Sequence, residues 1–133
     1  MNDLLAGHMP SLIASAPTAT GFMREGRIRA LAVTGAKRSP FDPDIPTIAE
    51  QGFPGYAATN WYAVVVSSKV PPEAVATLNT LFARALAVPE VRAAYAQQGM
   101  ETLGGTAADA AAHIASETGV WKKVIAEAGI HLE

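Results

Sequence analysis

The sequence predicts a layered α/β fold. Residues 28–34 are apolar at nearly every position and too short for a typical helix, and residues 61–66 add aromatic and β-branched side chains that suit a strand. Helical patterns lie on both sides of these runs, including one that opens at Pro72. Short apolar runs of this kind are typical of strands buried on both faces of an α/β sheet. Two such strands with flanking helices predict a sheet covered by helices.

The first half of the chain predicts helices, a short strand and a long loop. Residues 2–7 are typical of the last turns of a helix, and a chain that starts within such a pattern suggests an incomplete domain. Residues 11–15 are a short buried-strand candidate, and the helix predicted over 17–25 opens on Pro17. Prolines in the following loop prevent regular structure as far as Thr47, whose hydroxyl can cap a short helix.

The second half predicts three helices. Pro71 and Pro72 open the first, and Pro89 restarts the chain as a second helix that ends at Gly99. Thr106 is followed three residues later by Asp109, which resembles a capping box with aspartate in place of the usual glutamate. The last helix is therefore expected to begin just after Thr106.

Composition narrows the class of protein. The 133 residues suit one domain, and 50% of them are apolar while 17% are charged, against about 25% charged in ordinary soluble domains. This surplus of apolar side chains favours a partner. A net charge of −2 with scattered basic residues predicts no nucleic-acid partner. The absence of cysteine excludes disulfides and thiolate chemistry.

The sequence contains no recognisable targeting signal or membrane span. Residues 1–8 lack the positive start and long apolar centre of a secretory signal. The longest apolar runs are far shorter than a membrane span. We therefore expect neither a signal peptide nor a transmembrane helix within this sequence.

No group of residues predicts an enzyme, a cofactor or a metal site. The histidines are far apart in the sequence, whereas metal sites need clustered ligands. No serine or threonine has a neighbouring base that would support nucleophilic catalysis. Trp61 and Trp121 sit among apolar neighbours, which favours a role as core anchors. We expect no catalytic residue, no bound metal and no cofactor.

Several ordered motifs carry a family resemblance. They are residues 26–34, 37–40, 44–50 and 52–56, the pair Trp61 and Tyr62, residues 89–92, and a C-terminal set made of Glu117, Trp121, Lys122, Val124, Ile125 and residues 128–130. With these motifs the chain closely resembles the Bug-type solute-binding proteins of tripartite tricarboxylate transporters, the TctC family. The resemblance covers essentially the whole chain.

The resemblance implies a periplasmic-binding-protein-like layered α/β fold, with two lobes and a small carboxylate held in the cleft between them. It also implies a periplasmic location and membrane transporter subunits as partners. Because the resemblance begins late in the family pattern, the fold expected here is incomplete. By analogy, residues 1–57 form part of the second-lobe α/β unit. Residues 58–133 then form the crossover strand and the C-terminal helical segment that returns to the first lobe.

The resemblance places candidate ligand contacts at a strand-to-helix turn that borders the cleft in the family. Backbone N–H groups at the start of a helix suit a carboxylate. The expected ligand-binding residues are Ser15, Ala16 and Thr18 in this turn, with Asn60 and Trp61 near the crossover. Ahead of the turn, where the family often has acidic residues, this chain has Pro10, Ile13 and Ala14. That departure disfavours ligands that carry an amine, such as acidic amino acids.

The expected function is that of a non-enzymatic solute-binding component, or a truncated remnant of one, in a tripartite tricarboxylate-type uptake system. The alternative is a binding-incompetent fragment that acts as a homo-oligomeric or domain-swapped interaction module. Apolar surfaces made for a missing lobe would then pair two copies of the chain. On that ground we expect a homo-oligomer.

Overall fold

In a computed structural model that describes residues 1–131, helices provide the regular secondary structure. These are α1 (Asn2–Leu5), α2 (Ala16–Arg24), α3 (Pro72–Ala87), α4 (Pro89–Gln97) and α5 (Ala107–Glu127), with a 3₁₀ turn at Ala49–Gln51. Among the described residues, no helix combines the length and the apolar character that crossing a membrane requires.

The helices begin where the sequence signals predict. Helix α4 begins at Pro89, as predicted. Helix α2 begins at Ala16, one residue before the predicted start at Pro17. Ahead of α5, the Thr106 hydroxyl accepts a hydrogen bond from the Asp109 N–H at 3.1 Å, and the Asp109 carboxylate accepts one from the Thr106 N–H at 2.9 Å. The predicted capping box is therefore confirmed, with aspartate in the glutamate position.

Residues 28–34 form one bridge instead of a strand. The Val33 N–H donates to the Pro46 carbonyl at 2.8 Å, and the Val33 carbonyl accepts from the Ile48 N–H at 3.0 Å. These two bonds make an isolated parallel bridge between Val33 and Thr47. The neighbouring Thr34 carbonyl accepts from the Ala58 N–H at 2.8 Å.

The other predicted strands also lack ladders within residues 1–131. Residues 62–66 make no backbone hydrogen bond there, and residues 11–15 belong to no strand. The prediction of regular strands over 11–15, 28–34 and 61–66 is therefore wrong for this chain taken alone. A strand needs a neighbouring strand to satisfy its N–H and C=O groups, and the described chain supplies only the bridge at Val33.

The chain divides into two compact units, each made of two stretches of sequence. The first unit combines Met1–Tyr62 with Val88–Thr102, and the second combines Ala63–Ala87 with the chain from Leu103 onward. Helix α4 therefore belongs to the same unit as α2. The predicted boundary after residue 57 concerns the lobes of the family fold, and it stays a prediction.

In the first unit, an ion pair orders the proline-rich loop. Arg38 Nε lies 3.1 and 3.0 Å from the two carboxylate oxygens of Glu50, and Arg38 Nη1 donates to the Pro43 carbonyl at 3.1 Å. Glu50 also accepts from the Thr47 N–H at 2.7 Å, while the Thr47 hydroxyl accepts from the Glu50 N–H at 3.1 Å. Thr47 and Glu50 thus bond each other reciprocally around a 3₁₀ turn whose first flanking residue is Ile48, where the sequence predicted a short helix capped by Thr47.

In the second unit, α3 and α5 lie against each other. Asn79 on α3 donates from its amide nitrogen to the Gly105 carbonyl at 2.9 Å, just before α5 begins. The same stretch holds the Thr106 capping box. A side-chain hydrogen bond and a helix cap therefore fix where α5 starts relative to α3.

Apolar side chains remain largely uncovered. Among the described residues no hydrophobic side chain is buried, and the two buried polar ones are Thr20 and Thr47. Trp61 and Trp121 are 37% and 44% exposed, so their prediction as core anchors is wrong in this structure.

The total accessible surface is larger than compact packing would leave. The chain exposes 10277 Å² of surface. A compact protein of this mass would expose about 6,600 Å², and two separate compact units of these sizes about 8,000 Å². Roughly 2,000 Å² therefore exceeds what compact packing would leave exposed, even with the units counted separately.

The pKa of Glu50 provides a test of the Arg38–Glu50 ion pair that orders the proline-rich loop. The hydrogen bond from Arg38, followed by that from the Thr47 N–H, holds the pKa of Glu50 below its ordinary value. A carboxylate with a lowered folded-state pKa stabilises the fold fully above its unfolded pKa, and that stabilisation is lost as the pH falls through the folded pKa. Carbon-13 NMR titration of the Glu50 carboxyl is expected to give a midpoint below the ordinary value of about 4.3.

Arginine substitutions separate the causes of this shift. In Arg38→Gln the midpoint should rise towards the ordinary pKa of a glutamate. In the control Arg27→Gln it should not move, because Arg27 pairs with Glu25 at 3.5 Å and makes no bond to Glu50. A midpoint at the ordinary value in the wild-type protein would show that the ion pair does not form in solution.

Candidate functional site

The start of α2 brings three of the predicted ligand residues together. Ser15 precedes the helix in an extended conformation (φ −71°, ψ 148°), and its hydroxyl oxygen lies 2.9 Å from that of Thr18. The Ser15 carbonyl accepts from the Thr18 N–H at 3.0 Å and from the Ala19 N–H at 3.2 Å. Ser15, Ala16 and Thr18 therefore form one closed turn with two adjacent hydroxyls.

This turn has hydrogen-bond donors that make no bond within the described residues. Within residues 1–131 the N–H groups of Ser15 and Ala16 make no hydrogen bond, and Pro17 has no N–H to offer. Free N–H groups at the start of a helix carry a partial positive charge that favours anions. Because the hydroxyls of Ser15 and Thr18 bond each other, one of the two O–H groups remains free to donate. The arrangement can therefore donate several hydrogen bonds to a carboxylate.

Gly99 supports the turn from the end of α4, a role that the sequence analysis missed. Its backbone has a positive φ of 69°, and a Cβ atom placed there would lie 3.0 Å from the Thr20 hydroxyl and 3.1 Å from the Ala16 Cβ. Thr20 in turn donates to the Ala16 carbonyl at 2.8 Å. Gly99 thus packs directly on the first turn of α2. The sequence signal was present, since Gly99 is a predicted helix end, but it did not indicate the contact.

Asn60 and Trp61 belong to the same unit as the turn at the start of α2. The Ala58 N–H bond to Thr34 fixes the chain just ahead of them. Asn60 is exposed, and in the part of the chain that the structure describes its side chain makes no hydrogen bond to Ser15 or Thr18. Their role in ligand binding stays a prediction.

Two arginines of this unit are already engaged. Arg38 is bound to Glu50, and Arg27 pairs with Glu25 and lies 5.0 Å from the centre of the Phe22 ring. No group of three or more metal-ligating side chains occurs among residues 1–131. The hydrogen-bond donors that the turn offers to an anion are neutral, and they lie at the start of a helix.

Comparison with known proteins identifies the family. The profile described as "Tripartite tricarboxylate transporter family receptor" matches residues 1–130. The chain belongs to this family. The resemblance derived from the ordered motifs is therefore confirmed, and the match is to the C-terminal part of the family proteins.

Curated members of the family are similar over nearly the whole chain. A UPF0065 protein in the tcbD-tcbE intergenic region of Pseudomonas sp. (strain P51) is 37% identical over 128 residues, which cover 96% of this chain and 38% of that protein. Protein BugT of Bordetella pertussis is 34% identical over 131 residues, which cover 98% of this chain and 40% of BugT.

Two solved structures share the fold. Rpa4515 of R. palustris, solved with adipate, superimposes with a TM-score of 0.86 at 37% identity, over 97% of this chain and 43% of that protein. The periplasmic binding protein BugD gives a TM-score of 0.86 at 27% identity, over 100% of this chain and 45% of BugD. The chain therefore has part of a periplasmic-binding-protein fold, as predicted, and it spans less than half the length of these four relatives. The family consists of solute receptors, a non-enzymatic kind of protein.

Replacing Gly99 should disturb the turn more than replacing a glycine of similar conformation. Gly26 has a φ of 67° in the same unit, and a Cβ atom there would meet nothing within 4 Å. Gly26→Ala should cost about 1 kcal/mol in unfolding free energy, from the left-handed backbone alone. Gly99→Ala should cost about 2–4 kcal/mol, because the added methyl group must also displace Ala16 or Thr20.

Denaturant unfolding measures the loss of unfolding free energy in each variant. NMR of the Ser15 and Thr18 amides measures the disturbance of the turn. The chemical shift of the Thr18 amide should change in Gly99→Ala and should not change in Gly26→Ala. Equal unfolding costs for the two variants would contradict the contact between Gly99 and α2.

Proposed function

We propose that this chain acts as a solute-binding component of a tripartite tricarboxylate-type uptake system in the periplasm. It binds a small carboxylate in an interlobe cleft and presents it to membrane transporter subunits. The observation that carries the proposal is the likeness, over 97% of the chain, to a protein solved with adipate. Receptor function, without a catalytic step, accounts for the absence of any acid, base or nucleophile cluster in the sequence.

The turn at the start of α2 is the proposed ligand contact. A carboxylate can accept about four hydrogen bonds, and the turn offers three donors: the N–H groups of Ser15 and Ala16 and the one hydroxyl proton that the bond between Ser15 and Thr18 leaves free. Hydrogen bonds to a charged group are stronger than neutral ones, and α2 adds the favourable field of its N-terminus. Asn60 and Trp61 complete the proposed set from the crossover segment.

The preferred carboxylate lacks an amine. A ligand ammonium group needs a carboxylate or several carbonyls around it, and the residues just before the turn include Pro10, Ile13 and Ala14, none of which carries a side-chain acceptor. Dicarboxylates such as adipate are therefore favoured over acidic amino acids such as glutamate.

Titration calorimetry with adipate, citrate and glutamate tests the site. Adipate should bind more tightly than glutamate. Thr18→Ala should weaken adipate binding roughly tenfold or more, because a hydrogen bond to a charged group contributes about 1.5–3 kcal/mol. Thr77→Ala is the matched control, since the Thr77 hydroxyl donates only to the Glu73 carbonyl within α3.

Unchanged adipate affinity in Thr18→Ala would remove the turn from the binding site. Tighter binding of glutamate than of adipate would overturn the proposed preference. Binding of none of the three carboxylates, by a chain that unfolds cooperatively, would overturn the receptor function for the chain by itself.

A second candidate function is favoured by the absence of buried hydrophobic side chains among the described residues. In this alternative the chain is a homo-oligomeric or domain-swapped interaction module that binds no solute. Light scattering over a range of concentrations should then report a dimer or larger species. A monomer at every concentration would contradict it.

A further inference from the structure

Thr20 makes a hydrogen bond that other threonines of the chain also make, but it makes it in a buried place. Its hydroxyl donates to the Ala16 carbonyl, four residues earlier in α2, at 2.8 Å. The same bond to the carbonyl four residues earlier is made, at exposed positions, by Thr77, Thr80 and Thr118. Thr20 is 6% exposed. Water can replace the hydroxyl at the exposed positions, but it cannot reach the buried one.

Ala16 needs support, because a proline follows it. Helix α2 begins at Ala16, and the next residue is Pro17. The ring of a proline crowds the residue before it and disfavours the helical conformation there. The turn nevertheless closes around Ala16, since the Ser15 carbonyl accepts from the Ala19 N–H at 3.2 Å. A contact from outside this turn is therefore expected to hold Ala16 in the helix.

Thr20 and Gly99 hold Ala16 from two directions. The Thr20 hydroxyl binds the Ala16 carbonyl. Gly99 lies against the same residue, since a Cβ atom at Gly99 would be 3.1 Å from the Ala16 Cβ and 3.0 Å from the Thr20 hydroxyl. A residue has two free backbone dihedral angles, so fixing its carbonyl and its Cβ also fixes the direction of its N–H. The Ala16 N–H is one of the donors that the turn offers to a carboxylate.

We propose that Thr20 is a positioning residue for carboxylate binding. Its hydroxyl holds Ala16 in the helix ahead of Pro17, and it thereby keeps the Ser15 and Ala16 N–H groups directed at the ligand. Donors that are fixed before the ligand arrives lose less conformational freedom on binding, so the ligand binds more tightly. This role rests on the proposed function, because it concerns the same turn.

Substitutions of similar size separate the hydroxyl from the shape of Thr20. In titration calorimetry, Thr20→Val should weaken adipate binding about threefold to tenfold, because it removes one hydrogen bond and keeps the branched side chain. Thr20→Ser keeps the hydroxyl and should bind adipate within about twofold of the wild-type protein. Thr80→Val is the matched control. It removes the same kind of bond from an exposed site on α3, and the affinity should stay unchanged.

Substitution of Pro17 tests the reason for the effect. Pro17→Ala removes the ring that disfavours a helical Ala16, so the Thr20 hydroxyl should matter less. In this background Thr20→Val should change the adipate affinity by less than about twofold. Comparison of the single and double variants measures the coupling between the two residues. A general loss of stability would weaken binding equally in both backgrounds, and equal losses would overturn the proposal.

Hydrogen exchange in the free protein tests the hold on the turn without a ligand. The Ala19 amide closes the turn through its bond to the Ser15 carbonyl. Measured by NMR, this amide should exchange about tenfold faster in Thr20→Val than in the wild-type protein. It should keep its rate in Thr20→Ser and in Thr80→Val. An unchanged rate in Thr20→Val would overturn the proposal.

The two measurements distinguish failure of this role from failure of the proposed function. Absence of adipate binding by the wild-type protein would contradict the receptor function, and the Ala19 exchange rate would then decide by itself whether Thr20 holds the turn. Adipate binding that Thr20→Val leaves unchanged would keep the receptor function and overturn the positioning role. Equal losses of affinity in Thr20→Val and Thr20→Ser would assign the effect to side-chain shape, and they would also overturn it.

Discussion

A strand with apolar side chains on both faces needs a neighbour on each edge, and this need shapes the whole structure. Val33 finds part of such a neighbour in residues 46–48, through two backbone hydrogen bonds. Residues 62–66 find none in the part of the chain described. Helices satisfy their backbone groups internally, so they form regardless of what lies beside them. The result is a chain with well-defined helices and uncovered strand sequences.

The candidate ligand site depends on local geometry supported by one distant contact. Ser15, Ala16 and Thr18 are close because a helix starts between them, and the free N–H groups follow from that start and from the proline. Gly99 reaches the same turn from the end of α4 and packs where a side chain would not fit. The site is thus built by a local turn and held by a residue far along the chain.

In the first unit the charged side chain of Arg38 has a structural role. Arg38 is bound to Glu50 and to the Pro43 carbonyl, and this network holds Thr47 in the bridge with Val33. The arginine is therefore used to order the loop. At the start of α2 the hydrogen-bond donors are neutral hydroxyl and N–H groups.

The sequence by itself determined the features that depend on neighbours a few residues apart. The capping box at Thr106, the hydrogen bond from the Glu50 N–H to the Thr47 hydroxyl, and the helix starts next to Pro17 and at Pro89 arise from hydrogen bonds and backbone limits within one turn. The ordered motifs also indicated the family, and the match of the family profile to residues 1–130 confirmed it.

Only the tertiary structure decided which distant residues meet. It placed α4 in the unit of α2, brought Gly99 onto Ala16, and left residues 62–66 unpaired in the described chain. An apolar run shows that a segment can be a strand, but its ladder needs a second segment at the right distance. Sequence spacing does not contain that distance, because packing sets it between residues that are remote along the chain.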